Sequence, residues 1–180
     1  MRRRPQPFAF MPGTVPRMVW NAADGTADLG LPGGVTLQIG QEHLIRVLNK
    51  TGSTIQDMHV VYITGAQGNR TTAAQAQANS ASADKTLAVA TQDIANNAEG
   101  FATLQGLVRG INTRAWAEGT ELWLSAAVAG AITNVRPAAP NHQVRVGYVV
   151  RSHASEGSIY VTVNIGADLS HLHDVVITAP

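Results

Sequence analysis

From Val35 onward the chain is a succession of short β-type runs, each ended by Gly, Asn or Asp, and this rhythm restricts the fold more than any other feature. Val35-Thr36-Leu37-Gln38-Ile39 alternates and stops at Gly40. His43 to Leu48 stops at Asn49, and Lys50-Thr51-Gly52-Ser53 has the chemistry of a turn. Met58–Ile63, Leu87–Ala90, Phe101–Val108, Glu121–Leu124, Ala131–Thr133, Val144–Val150, Ser158–Asn164 and Asp174–Thr178 continue the series. Runs about 8–15 residues apart with turn residues between them predict an all-β fold, a compact β-barrel or sandwich of short antiparallel strands. Gly106 and Gly119 are placed where strands turn. Thr71–Asp84 is the one stretch compatible with a helix, but Ala and Gln alternate over 74–78. That period of two predicts an edge strand followed by an exposed loop through Asn79–Ala83.

The residues available for a core agree with many thin strands. Hydrophobic residues make up 44% of the chain, yet it has only three Trp, three Tyr and three Phe. Val, Ile, Leu and Ala must therefore fill the interior. There is no cysteine, which excludes disulfides and thiolate metal sites. No apolar run reaches the roughly 18 residues of a membrane span, and Met1-Arg2-Arg3-Arg4 leads into Pro5 instead of a signal-type stretch. A cytosol-like compartment is the expectation, with no membrane partner.

Residues 1–34 differ from the rest. They hold Pro5, Pro7, Pro12, Pro16 and Pro32, against three prolines in all the remaining chain. Proline disfavours both helix and central strand, so this part is predicted to be an extended arm ahead of a β-domain over 35–180. The first 20 residues also carry four arginines and no acid, while the remainder carries nine basic and twelve acidic side chains. Phe8, Phe10, Met11 and Trp20 lie in the same stretch, and such apolar groups suit an arm docked on a partner more than a solvated tail. These four, with Arg2, Arg3 and Arg4, are the candidate docking anchors. Nucleic acid is the lesser expectation for their partner, since the exposed charge is small beside the apolar area.

Reactive chemistry has little footing. There is no Gly-rich phosphate loop, nucleophile elbow or paired acid motif, so no reaction and no cofactor are expected. His171 and His173 in Ser170-His171-Leu172-His173-Asp174 would share one face of a strand and are the only metal-ligand candidates. Hydrogen bonding at the start of a final strand is the more ordinary role for them, and no metal is the expectation.

The phrases Trp20-Asn21, Asp24-Gly25-Thr26, Asn49-Lys50-Thr51-Gly52-Ser53-Thr54-Ile55 and Val60-Val61-Tyr62-Ile63-Thr64-Gly65-Ala66-Gln67-Gly68-Asn69-Arg70 stand in order along the chain. Gly106-Leu107-Val108, Leu122-Trp123-Leu124-Ser125, Arg136-Pro137, Val146-Gly147-Tyr148-Val149-Val150-Arg151-Ser152-His153 and Leu172-His173-Asp174-Val175 follow. Together they resemble a module of tailed-bacteriophage structural proteins, variously tail-fibre, head-fibre or decoration proteins. The resemblance implies a non-enzymatic virion surface protein assembled in the bacterial cytoplasm. It also implies a homotrimer that contacts the major capsid protein or another virion protein of the tail. Fibre proteins usually continue past Leu-His-Asp-Val into a shaft, whereas this sequence ends at Pro180. A trimeric capsid decoration protein is accordingly the leading expectation. A tail, collar or baseplate adaptor or short fibre comes second. A carbohydrate- or receptor-binding module comes third, with Trp116 and Trp123 as its only aromatic candidates and the core as their simpler destination.

Overall fold

The computed structural model describes residues 17–166. Among them the regular structure is almost wholly strand: β1 (Met18–Asn21), β2 (Thr26–Gly30), β3 (Thr36–Gln38), β4 (His43–Asn49), β5 (Val60–Gln67), β6 (Arg70–Gln75), β7 (Thr86–Ala90), β8 (Glu99–Ile111), β9 (Glu121–Leu124), β10 (Ile132–Thr133), β11 (Val144–Arg151) and β12 (Gly157–Ile165). The all-β expectation holds, and the barrel alternative is the one realised. Strands β8, β4, β6, β5 and β7 follow one another laterally, and β7 returns to β8 through Val89–Thr103 and Ala90–Ala102 to close a five-stranded barrel. Only β4 and β6 run parallel, paired at Leu48–Thr72 and Asn49–Ala73.

Strand β8 is long enough to serve two structures. Its first half closes the barrel, and its second half pairs with β12, from which β11, β9 and β10 extend as an open sheet. Gly106 stands near the changeover with φ 126°, and a methyl group there would overlap the backbone of Gln41 and Glu42. The expectation that Gly106 turns a strand is corrected: it lies inside β8 and permits a close backbone approach. Gly119 does lie in a loop, at φ 79°.

A narrow barrel needs small side chains, which explains the alanines. Val47, Val61, Ala73, Ala88, Ala90 and Ala102 form one buried cluster with Ile55 and Ile94. The other face of β5 and β7, through Val60 and Val89, belongs to a second cluster beneath the open sheet, with Leu122, Val146, Ile159 and Val161. Each buried Val, Leu or Ile contributes about 1.5–3 kcal/mol.

The barrel is built from two crossing β–turn–β halves related by an approximate twofold. Ile55 and Ile94 exchange backbone hydrogen bonds, 3.0 Å and 2.8 Å. Three residues beyond each lies a left-handed residue, Met58 (φ 66°) and Asn97 (φ 65°). The Asn97 N–H donates to Asn49 O at 2.8 Å, and the Met58 N–H to Ala90 O at 2.9 Å. The Asn49 N–H donates to Ala98 O and the Ala90 N–H to His59 O. The end of β4 is thus held by the start of β8, and the end of β7 by the start of β5.

Two further expectations need correction. Residues 71–84 were expected to give an edge strand and exposed loop; Asn79, Ser80 and Ala81 are exposed as expected, but β6 is internal, between β4 and β5. Ala76 and Ala78 continue the period of two into the second cluster, and Ala83, in a 3-10 turn over Ala81–Lys85, is buried there as well. The arm over 1–34 was expected to be extended. Its described part is instead a hairpin of β1 and β2, followed by a 3-10 turn at Pro32–Gly34 and by β3. Pro32 lies in the 3-10 turn, outside these strands, and so costs no ladder hydrogen bond. Residues 1–16 and 167–180, including the expected strand Asp174–Thr178, lie outside the described residues.

Candidate docking surface

The three-stranded sheet β1–β2–β3 has two faces of opposite character, and the register states which residues share each. Met18 pairs with Leu29 and Leu29 with Leu37. Trp20 pairs with Ala27, whose carbonyl oxygen accepts from the Ile39 N–H at 2.9 Å. Met18, Trp20, Ala27, Leu29, Leu37 and Ile39 therefore project from one face, because side chains two apart lie on the same side. Trp20 and Met18 are each 67% exposed and Ile39 46%. None of the six packs into either buried cluster.

The opposite face carries Asn21, Thr26, Asp28, Thr36 and Gln38, with Val19 as its one large apolar side chain, and it is this mainly polar side that meets the barrel. Arg109, on β8, is the anchor. Its guanidinium hydrogen-bonds Gln38 Oε1 and lies 3.4 Å from Glu42 and 3.7 Å from Asp24. Gln38 Nε2 donates to Asp24 at 2.8 Å, and Asn21 Nδ2 donates to Asp24 and Asp28 at 2.9 Å and 3.0 Å. The Gln38 N–H donates to Glu42 at 3.2 Å. Burial raises the Glu42 carboxyl above its ordinary range, opposed by the Gln38 N–H and by Arg109. A cavity of about 420 Å³ lies along this junction, lined by Asn21, Thr36, Gln38, Glu42, Leu107 and Arg109 among others.

A sheet normally turns its apolar face inward, so this one is reversed relative to its own barrel. The hydrogen-bonded network fixes the polar face to the body, and the apolar face is left for something outside the described residues.

A second exposed surface is the outer side of β9–β11–β12. A bulge between Arg145 and Gly147 puts Arg145 and Tyr148 on the same side, where the guanidinium lies 5.1 Å from the Tyr148 ring centre. Tyr148 is directly opposite Tyr160, and Gln105 donates to the Tyr160 hydroxyl at 3.3 Å. Gly147 is required here, since a methyl group would overlap the Tyr160 carbonyl oxygen.

Of the predicted anchors, Trp20 falls within the described residues and lies on the apolar face, well exposed. Phe8, Phe10, Met11, Arg2, Arg3 and Arg4 lie outside them, as do His171 and His173. Among the described residues no three His, Asp or Glu side chains are grouped to hold a metal ion. Trp123 is buried beneath the Arg136 guanidinium, 5.1 Å from its ring centre, and Trp116 packs against the second cluster, so neither forms an exposed aromatic groove. Sequence reasoning missed Leu29, Leu37 and Ile39 as partners of Trp20, although the alternation Ala27-Asp28-Leu29 and Leu37-Gln38-Ile39 signals them. It also missed Arg109. Neither a protein-family model nor a curated protein sequence matches the chain.

Proposed function

We propose that this chain is a structural component of a tailed-phage virion, a trimeric capsid decoration protein attached through its N-terminal end. The carrying observation is the reversed N-terminal sheet, whose polar face is tied to the barrel by Arg109 and whose apolar face carries Trp20, Met18 and Ile39 outward. A monomeric protein seldom keeps so apolar a face in water, and a face of this kind suits an assembly protein. The surrounding phrases that resemble phage structural proteins, and the proline- and aromatic-rich residues ahead of β1, support the same reading. Its partner on the particle is the major capsid protein.

The test is to mix the purified chain with undecorated capsids and with isolated tails, and to count bound copies against the major capsid protein. Hundreds of copies per capsid, lost on deletion of residues 1–34, is the expected result. About a dozen copies bound to tails would assign the chain to a tail adaptor, and binding to neither would overturn the virion reading.

A further inference from the structure

The outer face of the open sheet is built around two arginines, each laid on an aromatic ring. Register places Trp123 on β9 opposite Arg145 on β11, Glu121 opposite Tyr148, and Tyr148 opposite Tyr160 on β12. Their strand neighbours Leu122, Val146, Ile159 and Val161 are buried in the second cluster, so these side chains project from the other side of the sheet. Arg136 covers Trp123 and Arg145 covers Tyr148, each guanidinium carbon 5.1 Å from the ring centre. Asn164, opposite Arg145, and the opposed pair Thr162 and Gln105 continue the face as neutral polar groups. Regular pairing alone would not give this arrangement. The bulge between Arg145 and Gly147, with no side chain at 147, is what brings Arg145 onto Tyr148.

Neither arginine is fully used by the protein. Arg136 is exposed, donates to Gln143 Oε1, and forms no ion pair among the described residues. Arg145 has one carboxylate near it, Glu121 at 3.8 Å, which is too long for a hydrogen bond, and its Nε is buried without a partner. Two planar forks held on rings, with a single acid beside them, leave a net positive charge and unspoken-for N–H donors. That is the chemistry that receives a carboxylate. The adjoining Tyr160 ring, 37% exposed, offers an apolar surface bordered by hydroxyls and amides. A sugar acid matches both parts, because its C–H face lies on an aromatic ring while its hydroxyls and carboxylate bond the surround.

We propose that the outer face of β9–β11–β12 binds an acidic saccharide, with the carboxylate on Arg136 and Arg145 and a sugar ring on the Tyr148–Tyr160 pair. Other anionic ligands fit this face less well. Single-stranded nucleic acid needs bare ring faces for its bases and several cations for its phosphates. Here Trp123 and Tyr148 already carry guanidinium groups, and two arginines stand beside one acid. An acidic peptide adds to a sheet through a free strand edge, and β9, β11 and β12 are all interior strands. The site is on a different sheet from the N-terminal docking face and does not depend on the virion reading.

The test is to titrate the full-length protein with tetragalacturonate, sialyllactose and a hyaluronan tetrasaccharide, following the chemical shifts of its amides. Lactose and maltotetraose serve as neutral probes, oligothymidylate and oligoglutamate as the other anions. At least one acidic saccharide should bind, with its shift changes centred on β9, β11 and β12. Arg136→Gln and Arg145→Gln should each weaken binding roughly ten-fold or more, the loss of a charged hydrogen bond. Tyr160→Ala should do the same with β-sheet circular dichroism unchanged. Arg136 is exposed, so its replacement probes the site even if Tyr160→Ala disturbs the fold. Trp20→Ala, on the docking face, should leave saccharide binding as it was. Failure of all three acidic saccharides to bind overturns the proposal, as does equal binding of the neutral ones or full affinity in both arginine variants. Binding of oligothymidylate or oligoglutamate in their place overturns it in favour of that polymer. Self-association lost on Arg136→Gln would make the face a contact between copies and overturn it as well.

Discussion

Asn49, fully buried at the end of β4, donates from Nδ2 to the carbonyl oxygen of Ile94 at 2.7 Å and thereby ties one crossing half of the barrel to the other. The same nitrogen donates to Ser53 O at 2.7 Å, and Oδ1 accepts from the Thr51 N–H and hydroxyl at 2.9 Å and 2.8 Å. Asn49→Ala removes all four bonds, with an expected loss of about 2–4 kcal/mol. At roughly 2–4 °C per kcal/mol for a chain of this size, calorimetry should show a clear fall in Tm. Asn49→Asp should be at least as damaging, since it keeps the acceptor but sets a carboxylate against two carbonyl oxygens. An Asp variant with unchanged Tm would remove Asn49 from this role.

Gly147→Ala should cost about 1–3 kcal/mol, the usual penalty of overpacking, because the new methyl group meets the Tyr160 carbonyl oxygen inside the β11–β12 ladder. Urea titration measures it. A conservative change on the outer face, Tyr148→Phe, should be nearly neutral and serves as the comparison.

Arg109→Met should loosen the N-terminal sheet and leave the barrel intact. The guanidinium is about one-third exposed, so solvent screening limits the loss to about 1–2 kcal/mol. Amide hydrogen exchange should therefore accelerate roughly ten-fold over β2 and β3 while β11 and β12 keep their protection. Equal acceleration in all four strands would show that Arg109 supports the whole fold.

His59 and Glu42 should give opposite pH dependences. Burial lowers His59 below its ordinary 6.5, against the pull of Asp93 and Asp57. The folded protein therefore binds this proton less readily than the unfolded chain, and stability is lost as pH falls from 6.5 through the folded value. Glu42 is raised above 4.5, chiefly by burial. Its contribution is full below 4.5 and declines as pH rises through the folded value. His59→Gln should flatten the curve of Tm against pH just below 6.5, and Glu42→Gln should flatten it above 4.5. Curves parallel to the wild type would contradict both assignments.

The strands from Val35 on were legible because each apolar run is short and ends in turn chemistry. His43–Leu48 became β4, and Phe101–Val108 is the heart of β8. The hairpin ahead of them was legible too, through Asp24-Gly25, where Gly25 turns the chain at φ 66°, but the nearby prolines pointed to an extended segment instead. The twofold was hidden because it is written in backbone hydrogen bonds. Ile55-Gln56-Asp57-Met58-His59 and Ile94-Ala95-Asn96-Asn97-Ala98 share only their isoleucine. Arg109 could not be read as an anchor, since Gln38 and Glu42 lie 71 and 67 residues away along the chain. Its pairing depends on β8 passing under the N-terminal sheet, which no local pattern announces.

The crossing of β4–β5 with β7–β8 bears on how long the molecule lasts as well as how stable it is. A closed barrel offers no loose end from which to unzip, and here each half is clamped by the other, so neither leaves first. Opening requires several ladders to rupture together, a rare event with a high barrier. The same threading delays closure, since contacts such as Asn49 with Ile94 join residues 45 apart and loop entropy is spent before they form. Folding is expected in the slow range of β-rich domains, about milliseconds to seconds. A protein put together slowly and released seldom persists by its lifetime, which is a different safeguard from a large equilibrium constant.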